Sequence, residues 1–240
     1  MVRFFVSAEA LAVDTIGLTG ENAQHAKVLR LKEGEQALIC DGAGREALCR
    51  LVCAADWSWE VLERRTSETE ASVQVSVYMA FPKADKLEHV IQKATELGAY
   101  EIVVFPSARC VSRPDDKAIQ KKLERWQKIA ASAAEQSGRG RIPQVIPLGS
   151  YAQALTRAAQ ADKALLFYEN ERATTLKMAL EGPYQTVSLL TGPEGGLEEK
   201  EVAQAMEAGL RVCTLGRRIL RCETAPLCAL SAVMFDAGEF

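Results

Sequence analysis

Two short stretches of this 240-residue chain carry residue types suited to holding a small polar ligand mainly through the backbone. The first is Gly192-Pro193-Glu194-Gly195-Gly196, with Thr191 before it. Its glycines admit positive φ and let a ligand approach the main chain with no Cβ in the way, while Pro193 stiffens the turn and withholds one amide. The second is Leu215-Gly216-Arg217-Arg218-Ile219-Leu220-Arg221, which runs into Cys222-Glu223-Thr224-Ala225. A turn of that kind offers amides and carbonyls to the edge of a purine, and its apolar residues can flank the flat ring. Taken alone, each is equally well read as a tight strand-to-helix turn that binds nothing. The glycine spacing fits neither a dinucleotide fold nor a phosphate-binding P-loop.

Both turns need strands to present them. Residues 187–190 and 210–215 are short apolar runs that read as buried strands, so each turn is expected at the carboxyl end of a parallel strand, where open α/β sheets bind ligands. A helix is predicted to begin near Thr224, capped by its hydroxyl, with Pro226 in the first turn and Leu227, Leu230, Val233 and Met234 on a buried face. Upstream, strands are predicted over 73–81, 102–105 and 163–168. Helices are predicted over 82–98, 118–137, 151–160 and 174–180; Leu87, Val90, Ile91, Ala94 and Leu97 line one side of the first. Strand and helix therefore alternate from 73 to 240, the pattern of an α/β open sheet. Residues 1–70 have a different texture. Strands are predicted over 2–6, 36–40, 46–54 and 57–62, with a turn at Asp41-Gly42-Ala43-Gly44 and one helix over 21–31 that turns Ala23, Ala26 and Val28 or Leu29 inward. That is a small barrel, and the polar run RRTSETEAS at 64–72 reads as a linker.

Composition narrows the class. The chain is 48% apolar with a formal charge of −3 and no apolar run long enough to span a bilayer. The N-terminus lacks a secretory pattern, so a cytoplasmic protein is expected. Net acidity argues weakly against nucleic acid, but phosphates are met by patches: residues 109–141 hold nine Lys or Arg against four Asp or Glu, and 211–221 hold four arginines and no acid. A charged helix is as often merely solvated. Seven cysteines show no metal-knuckle spacing, so no metal is expected; Cys222, beside the second turn, is the thiol to watch for reactivity.

The order GPEGG and then LGRRILRCETA resembles the C-terminal half of the SPOUT superfamily of knotted RNA methyltransferases, and most closely the 16S ribosomal RNA (uracil-N3) methyltransferase family. KATELGAYEIVVFPSARC and the AEQS-x-R run ending near Arg139 are similar to further elements of that family, and residues 1–70 resemble, more weakly, its PUA-like RNA-binding domain through Arg3-Phe4 and HAKVLR. The resemblance implies a PUA-like β-barrel over 1–70 and a methyltransferase domain over 73–240, closed by a deep trefoil knot that binds S-adenosyl-L-methionine. It also implies a homodimer joined through C-terminal helices, and as substrate one uridine of the decoding region of 16S rRNA, in the small subunit or its precursor, with no membrane or DNA partner.

Carried onto this chain, the methyl-donor pocket takes Thr191, Gly192, Pro193, Glu194, Gly195 and Gly196 from the first turn. From the second it takes Leu215, Gly216, Ile219, Leu220, Arg221, Thr224 and Ala225, and a third loop adds Phe167 and Glu169. Contacts to RNA are expected from Arg3, His25, Arg30 and Lys32, from Arg113, Arg139 and Arg141, and from Arg217 and Arg218. Uracil N3 is protonated at neutral pH, and a nearby cation can stabilise the anion formed when that proton leaves. Arg221 is the first candidate for that role, followed by Arg109, Arg139 and Glu223; no residue stands out as general base. Two other readings remain at this point: a related knotted tRNA or rRNA ribose 2′-O-methyltransferase, and a non-catalytic RNA-binding assembly factor.

Overall fold

The computed structural model describes residues 1–240 and every side chain except that of Asp116. The chain forms two compact units, one made of Met1–Glu70 with Ala134–Ile142 and the other of Ala71–Ala133 with Pro143–Phe240.

The first unit contains β1 (Arg3–Phe5), α1 (Ala8–Leu11), β2 (Thr15–Gly17), α2 (Gly20–Val28), β3 (Gln36–Cys40), β4 (Arg45–Cys53) and β5 (Ser58–Thr66). The strands make one sheet in the order β1-β3-β4-β5-β2, parallel only between β1 and β3. Irregularities in the β4–β5 register at Leu48/Cys49 and Leu51/Cys53 help it curl. Phe4, Ile16, Leu18, Ile39, Leu51 and Trp59 fill its interior. Helix α2 is shorter than the spacing predicts: Ala26 is fully buried, whereas Val28, its last residue, and Leu29, its C-cap, are 66% and 41% exposed, on the side turned away from the sheet interior.

The polar run 64–72 is not a slack linker. Its first three residues complete β5, Ser67 is buried, and Glu70 accepts from Arg139 Nη2 at 2.6 Å and from the amides of Gly140 and Arg141 at 3.0 Å. A Cβ built on Gly140 would stand 2.4 Å from Ser67 Cβ, so only glycine lets segment 138–142 lie against this run.

The second unit contains β6 (Gln74–Ala80), α3 (Lys86–Glu96), β7 (Glu101–Phe105), α4 (Asp116–Ser137, whose last turn belongs to the first unit), β8 (Gln144–Pro147), α5 (Tyr151–Ala158), β9 (Lys163–Phe167), α6 (Leu176–Ala179), β10 (Thr186–Thr191), α7 (Glu199–Glu207), β11 (Arg211–Cys213) and α8 (Thr224–Asp236). Its sheet is parallel throughout, in the order β11-β9-β10-β6-β7-β8. The chain builds outward from β6 through β7 to β8, then crosses to the other side as β9, leaving a gap that β10 later fills. The reversal puts the carboxyl ends of β9, β10 and β11 side by side, the position at which such sheets hold ligands. Strand β10 reads as a continuous apolar run because it is covered on both faces: Val187, Leu189 and Leu190 are each at most 1% exposed.

Helix α8 packs on β6, β10 and α3 through Leu230, Val233 and Met234. Its N-cap is Glu223 and not Thr224, and no side chain caps it: Thr224 is already the first helical residue and points outward.

Candidate active site

The loops after β9, β10 and β11 enclose a cavity of about 440 Å³, completed by Lys86 at the start of α3 and Ala225 in the first turn of α8. Its size lies within the range of small-molecule sites. Phe167, Leu197, Leu215, Ile219 and Leu220 give apolar wall, and the glycine turn gives main chain.

Each turn has a local cause. Gly196 takes φ +69°, and its amide closes the turn on the Pro193 carbonyl at 2.9 Å. A Cβ there would come within 2.5 Å of Glu169 Oε1, so the absent side chain is what lets the β9 and β10 loops touch. Gly216 takes φ +107°, where a Cβ would meet no protein atom within 4 Å; the space beside it on the wall is open. Thr214 Oγ1 accepts from the Gly216 amide at 3.2 Å, and the Arg221 carbonyl accepts from the amides of Thr224 and Ala225 at 2.9 Å, which starts α8.

The charges are held asymmetrically. Lys86 Nζ lies 3.1 Å from Glu194 Oε1 on the first turn and 3.1 Å from Glu223 Oε2 after the second. Hydrogen bonds to Glu194 and then Glu223 raise the Lys86 pKa above the ordinary lysine value against a smaller cost of burial. Burial works against ionisation of Glu194 and Glu223, yet the Lys83 amide and Lys86 on the former, and hydrogen bonds from its own backbone, Cys222 and Lys86 on the latter, hold both below the usual carboxylate range. The Cys222 thiol is pushed up to about 12, first by burial and then by the Glu223 carboxylate. It is therefore a protonated thiol and not the reactive one its position beside the turn suggests.

Most of the donor residues expected from sequence come together on this wall: Phe167, Glu169, Thr191 through Gly196, Leu215, Gly216, Ile219, Leu220, Arg221 and Ala225. Thr224 lies off it. Arg217, Arg218 and Arg221 are exposed on the same wall, and their side chains make no hydrogen bond or ion pair among the described residues. Two catalytic candidates are displaced. Arg109 sits behind the glycine turn, donating to the Gly195 carbonyl at 3.1 Å with Glu198 at 3.9 Å, so it braces the turn instead of facing the cavity. Glu223 directs its carboxylate to Lys86.

The expected RNA contacts divide similarly. Arg3 is 8% exposed and donates to the buried Glu46 at 2.6 Å, and Arg139 is 4% exposed and paired with the partly buried Glu70, so both guanidiniums are engaged by carboxylates and withdrawn from the surface. The same pairing engages Arg139 as a candidate for base positioning. Arg113 is turned back on the carbonyls of Ser107, Ala108 and Cys110, and Arg141 on that of Ala43. His25 Nδ1 is 2.7 Å from Glu135 Oε1, its ring edge-on to Phe4. Arg30, at φ +56°, and Lys32 are exposed, with side chains unpaired among the described residues. Lys86, Arg172, Leu197 and Thr214 also line the cavity and were not among the expected residues. For Lys86 one signal was present: it opens a helix directly after a strand entering the same sheet.

Comparison with known proteins agrees with this geometry. The RNA methyltransferase domain family matches residues 69–234, and the RNA methyltransferase PUA domain family matches residues 18–52. The ribosomal RNA small subunit methyltransferase E of Bacillus subtilis is 40% identical over 98% of this chain and 97% of its own. The chain belongs to the ribosomal RNA small subunit methyltransferase E family. The Synechocystis member is 32% identical over 96% of this chain and 76% of its own. The crystal structure of the Neisseria gonorrhoeae member bound to S-adenosyl methionine superposes with a TM-score of 0.86, at 34% identity over 98% and 97% of the two chains. Methyltransferase E family membership makes the parallel sheet a SPOUT fold with its trefoil knot and the curled N-terminal sheet a PUA-like one. Among the described residues no helix is long and apolar enough to cross a membrane, and no group of three His, Cys, Asp or Glu side chains could hold a metal.

Proposed function

We propose that this protein methylates N3 of one uridine in the decoding region of 16S rRNA, within the small ribosomal subunit or its precursor, using S-adenosyl-L-methionine bound in the cavity. The observation that carries the reading is the convergence of the β9, β10 and β11 loops on one cavity that also bears three unpaired arginines. The wall suits the donor. Open space beside Gly216 leaves room along the second turn, main-chain groups are available for an adenine edge and ribose hydroxyls, Phe167 and Leu220 offer apolar surface, and the Glu169 carboxylate tolerates a cation. The relative from Neisseria gonorrhoeae, one third identical, binds the same molecule.

Bound donor supplies a methyl carbon made electrophilic by its sulfonium. The protein's part is then to orient the uracil and to lower the cost of its anion. Once the N3 proton has left for solvent, the negative charge spreads over the two ring carbonyl oxygens, and a guanidinium beside them stabilises it. Arg221 holds that place, with Arg217 and Arg218 on the approaching phosphates. Glu194 and Glu223 are spent on Lys86, so neither acts as the base. In the first unit, Arg30 and Lys32 present unpaired charge suited to RNA. A homodimer through α8 accounts for a helix with Phe235 72% exposed and Leu227 only half buried. The work is cytoplasmic, where small subunits are assembled.

The test is methyl transfer from labelled donor to small-subunit particles, followed by nucleoside analysis. The expected product is 3-methyluridine; a 2′-O-methyl nucleoside, or donor-independent RNA retention alone, would replace this reading with one of its rivals. Arg221→Ala is expected to cut turnover by about 100-fold, as loss of a charge-stabilising group does, while calorimetric donor affinity stays within about threefold. Equal loss of both would remove Arg221 from substrate placement.

A further inference from the structure

The cavity is assembled from turns far apart in sequence, and one side chain ties them. Lys86 Nζ is within ion-pair distance of Glu194 and of Glu223, and 3.6 Å from Cys222 Sγ. The three charged side chains are between 21% and 28% exposed, so the cluster is largely withdrawn from water. The same entrance to α3 holds Glu194 a second time through the Lys83 amide at 3.0 Å. Lys86 is also on the cavity wall. It thus belongs to the site, while its charge is already engaged by two carboxylates.

We propose that Lys86 is a positioning residue whose charge holds the glycine turn and the arginine turn at the separation the methyl donor requires. This rests on the reading of the cavity as the donor site. Without the ammonium, Glu194 and Glu223 carry like charges on opposing turns with nothing between them. They repel, the turns part, and the main-chain groups meant for one ligand no longer face it together. The added negative charge also lies beside a substrate that must become an anion, so the same loss acts against turnover. Lys86 touches neither reacting atom in this scheme; it acts through the two turns. A lysine that served only to fill space would be replaced adequately by methionine, which matches its length and apolar stem.

The decisive variants are Lys86→Met, Lys86→Arg, and Lys86→Met combined with Glu194→Gln and Glu223→Gln. The first measurement needs no donor: hydrogen exchange of the amides in 192–197 and 214–223, referenced to the amides of β6 and β10. Lys86→Met is expected to speed exchange in both turns together and leave the two strands unchanged, and the triple variant to restore protection. The second is calorimetric titration with S-adenosylmethionine. Lys86→Met is expected to weaken binding by about tenfold, the low end of what losing a group that orients the direct ligands costs at metal sites, with Lys86→Arg close to wild type and the triple variant recovering most of the loss. Unchanged exchange in Lys86→Met, or a triple variant as defective as the single one, would overturn the proposal. Failure of the wild-type protein to bind donor would count against the cavity reading alone, because the exchange result decides the brace without it.

Discussion

Replacing Gly196 with alanine puts the smallest possible side chain at the point where two loops of the cavity touch. Two costs can be worked from the structure. At φ +69° an alanine occupies left-handed backbone, which costs about 1–2 kcal/mol. Its Cβ also falls 2.5 Å from Glu169 Oε1 and 3.3 Å from Glu169 Cδ. Glu169 is exposed, so its carboxylate can swing aside for about 0.5–1.5 kcal/mol, the cost of leaving a preferred rotamer. Both adjustments displace wall that the donor would meet, whereas the sheet beneath is untouched. If most of the lower bound of these costs is borne by the bound state, donor affinity falls by about tenfold, while the melting temperature drops by only a few degrees. Calorimetric titration with S-adenosylmethionine, run beside a thermal melt, separates the two effects. Adding Glu169→Ala to Gly196→Ala removes the close approach but leaves the backbone cost, so the double variant compared with Glu169→Ala alone gives the backbone share, with the wall carboxylate absent from both. A Gly196→Ala protein that binds donor within twofold of wild type would refute the reasoning, since neither the φ nor the close approach would then matter to the ligand.

Two further outcomes follow from the charges and thiols. Burial opposes ionisation of Glu46, but hydrogen bonds from Arg3 and Arg65 outweigh it and hold its pKa below the usual carboxylate value. Its contribution to stability is therefore complete above the unfolded carboxylate value of about 4.3 and drains as pH falls through the depressed folded value. Glu46→Gln should cost about 3–5 kcal/mol at pH 7 by leaving Arg3 buried without its counter-charge, and the gap from wild type should narrow in acid melts; a gap constant down to pH 3 would contradict the assignment. Cys222, with its pKa pushed up to about 12, should resist brief iodoacetamide treatment at pH 7.5. Peptide mapping that finds it alkylated as fast as in the denatured chain would show the thiol to be accessible and ionised after all.

The parts legible in the sequence were those whose cause is local. Strand β10 and the glycine turn after it are written as an apolar run followed by residues that only a tight turn needs, and α3 shows its Leu87, Val90, Ile91 and Ala94 face by spacing alone. Short elements escaped: α1 has four residues and β2 three, too few for a period, and β8 ends in Pro147, which reads as a break. Site residues failed for a different reason. Arg3 and Arg139 look like free cations until their carboxylates are found 43 and 69 residues away, and the importance of Lys86 is visible only when Glu194 and Glu223 are brought to it. A spacing rule sees neighbours along the chain; a buried ion pair is chosen by the fold.

The N-terminal unit is completed by residues 134–142, which arrive at the end of a helix that begins elsewhere. The chain thus passes between its two units three times, at 70–71, 133–134 and 142–143. Scissors applied after Glu70 would release a piece lacking the strap that covers Ser67 and the arginine that answers Glu70. Such a unit cannot be lifted out by a single cut in the gene, because two stretches of sequence, separated by residues 71–133, are both needed to complete it.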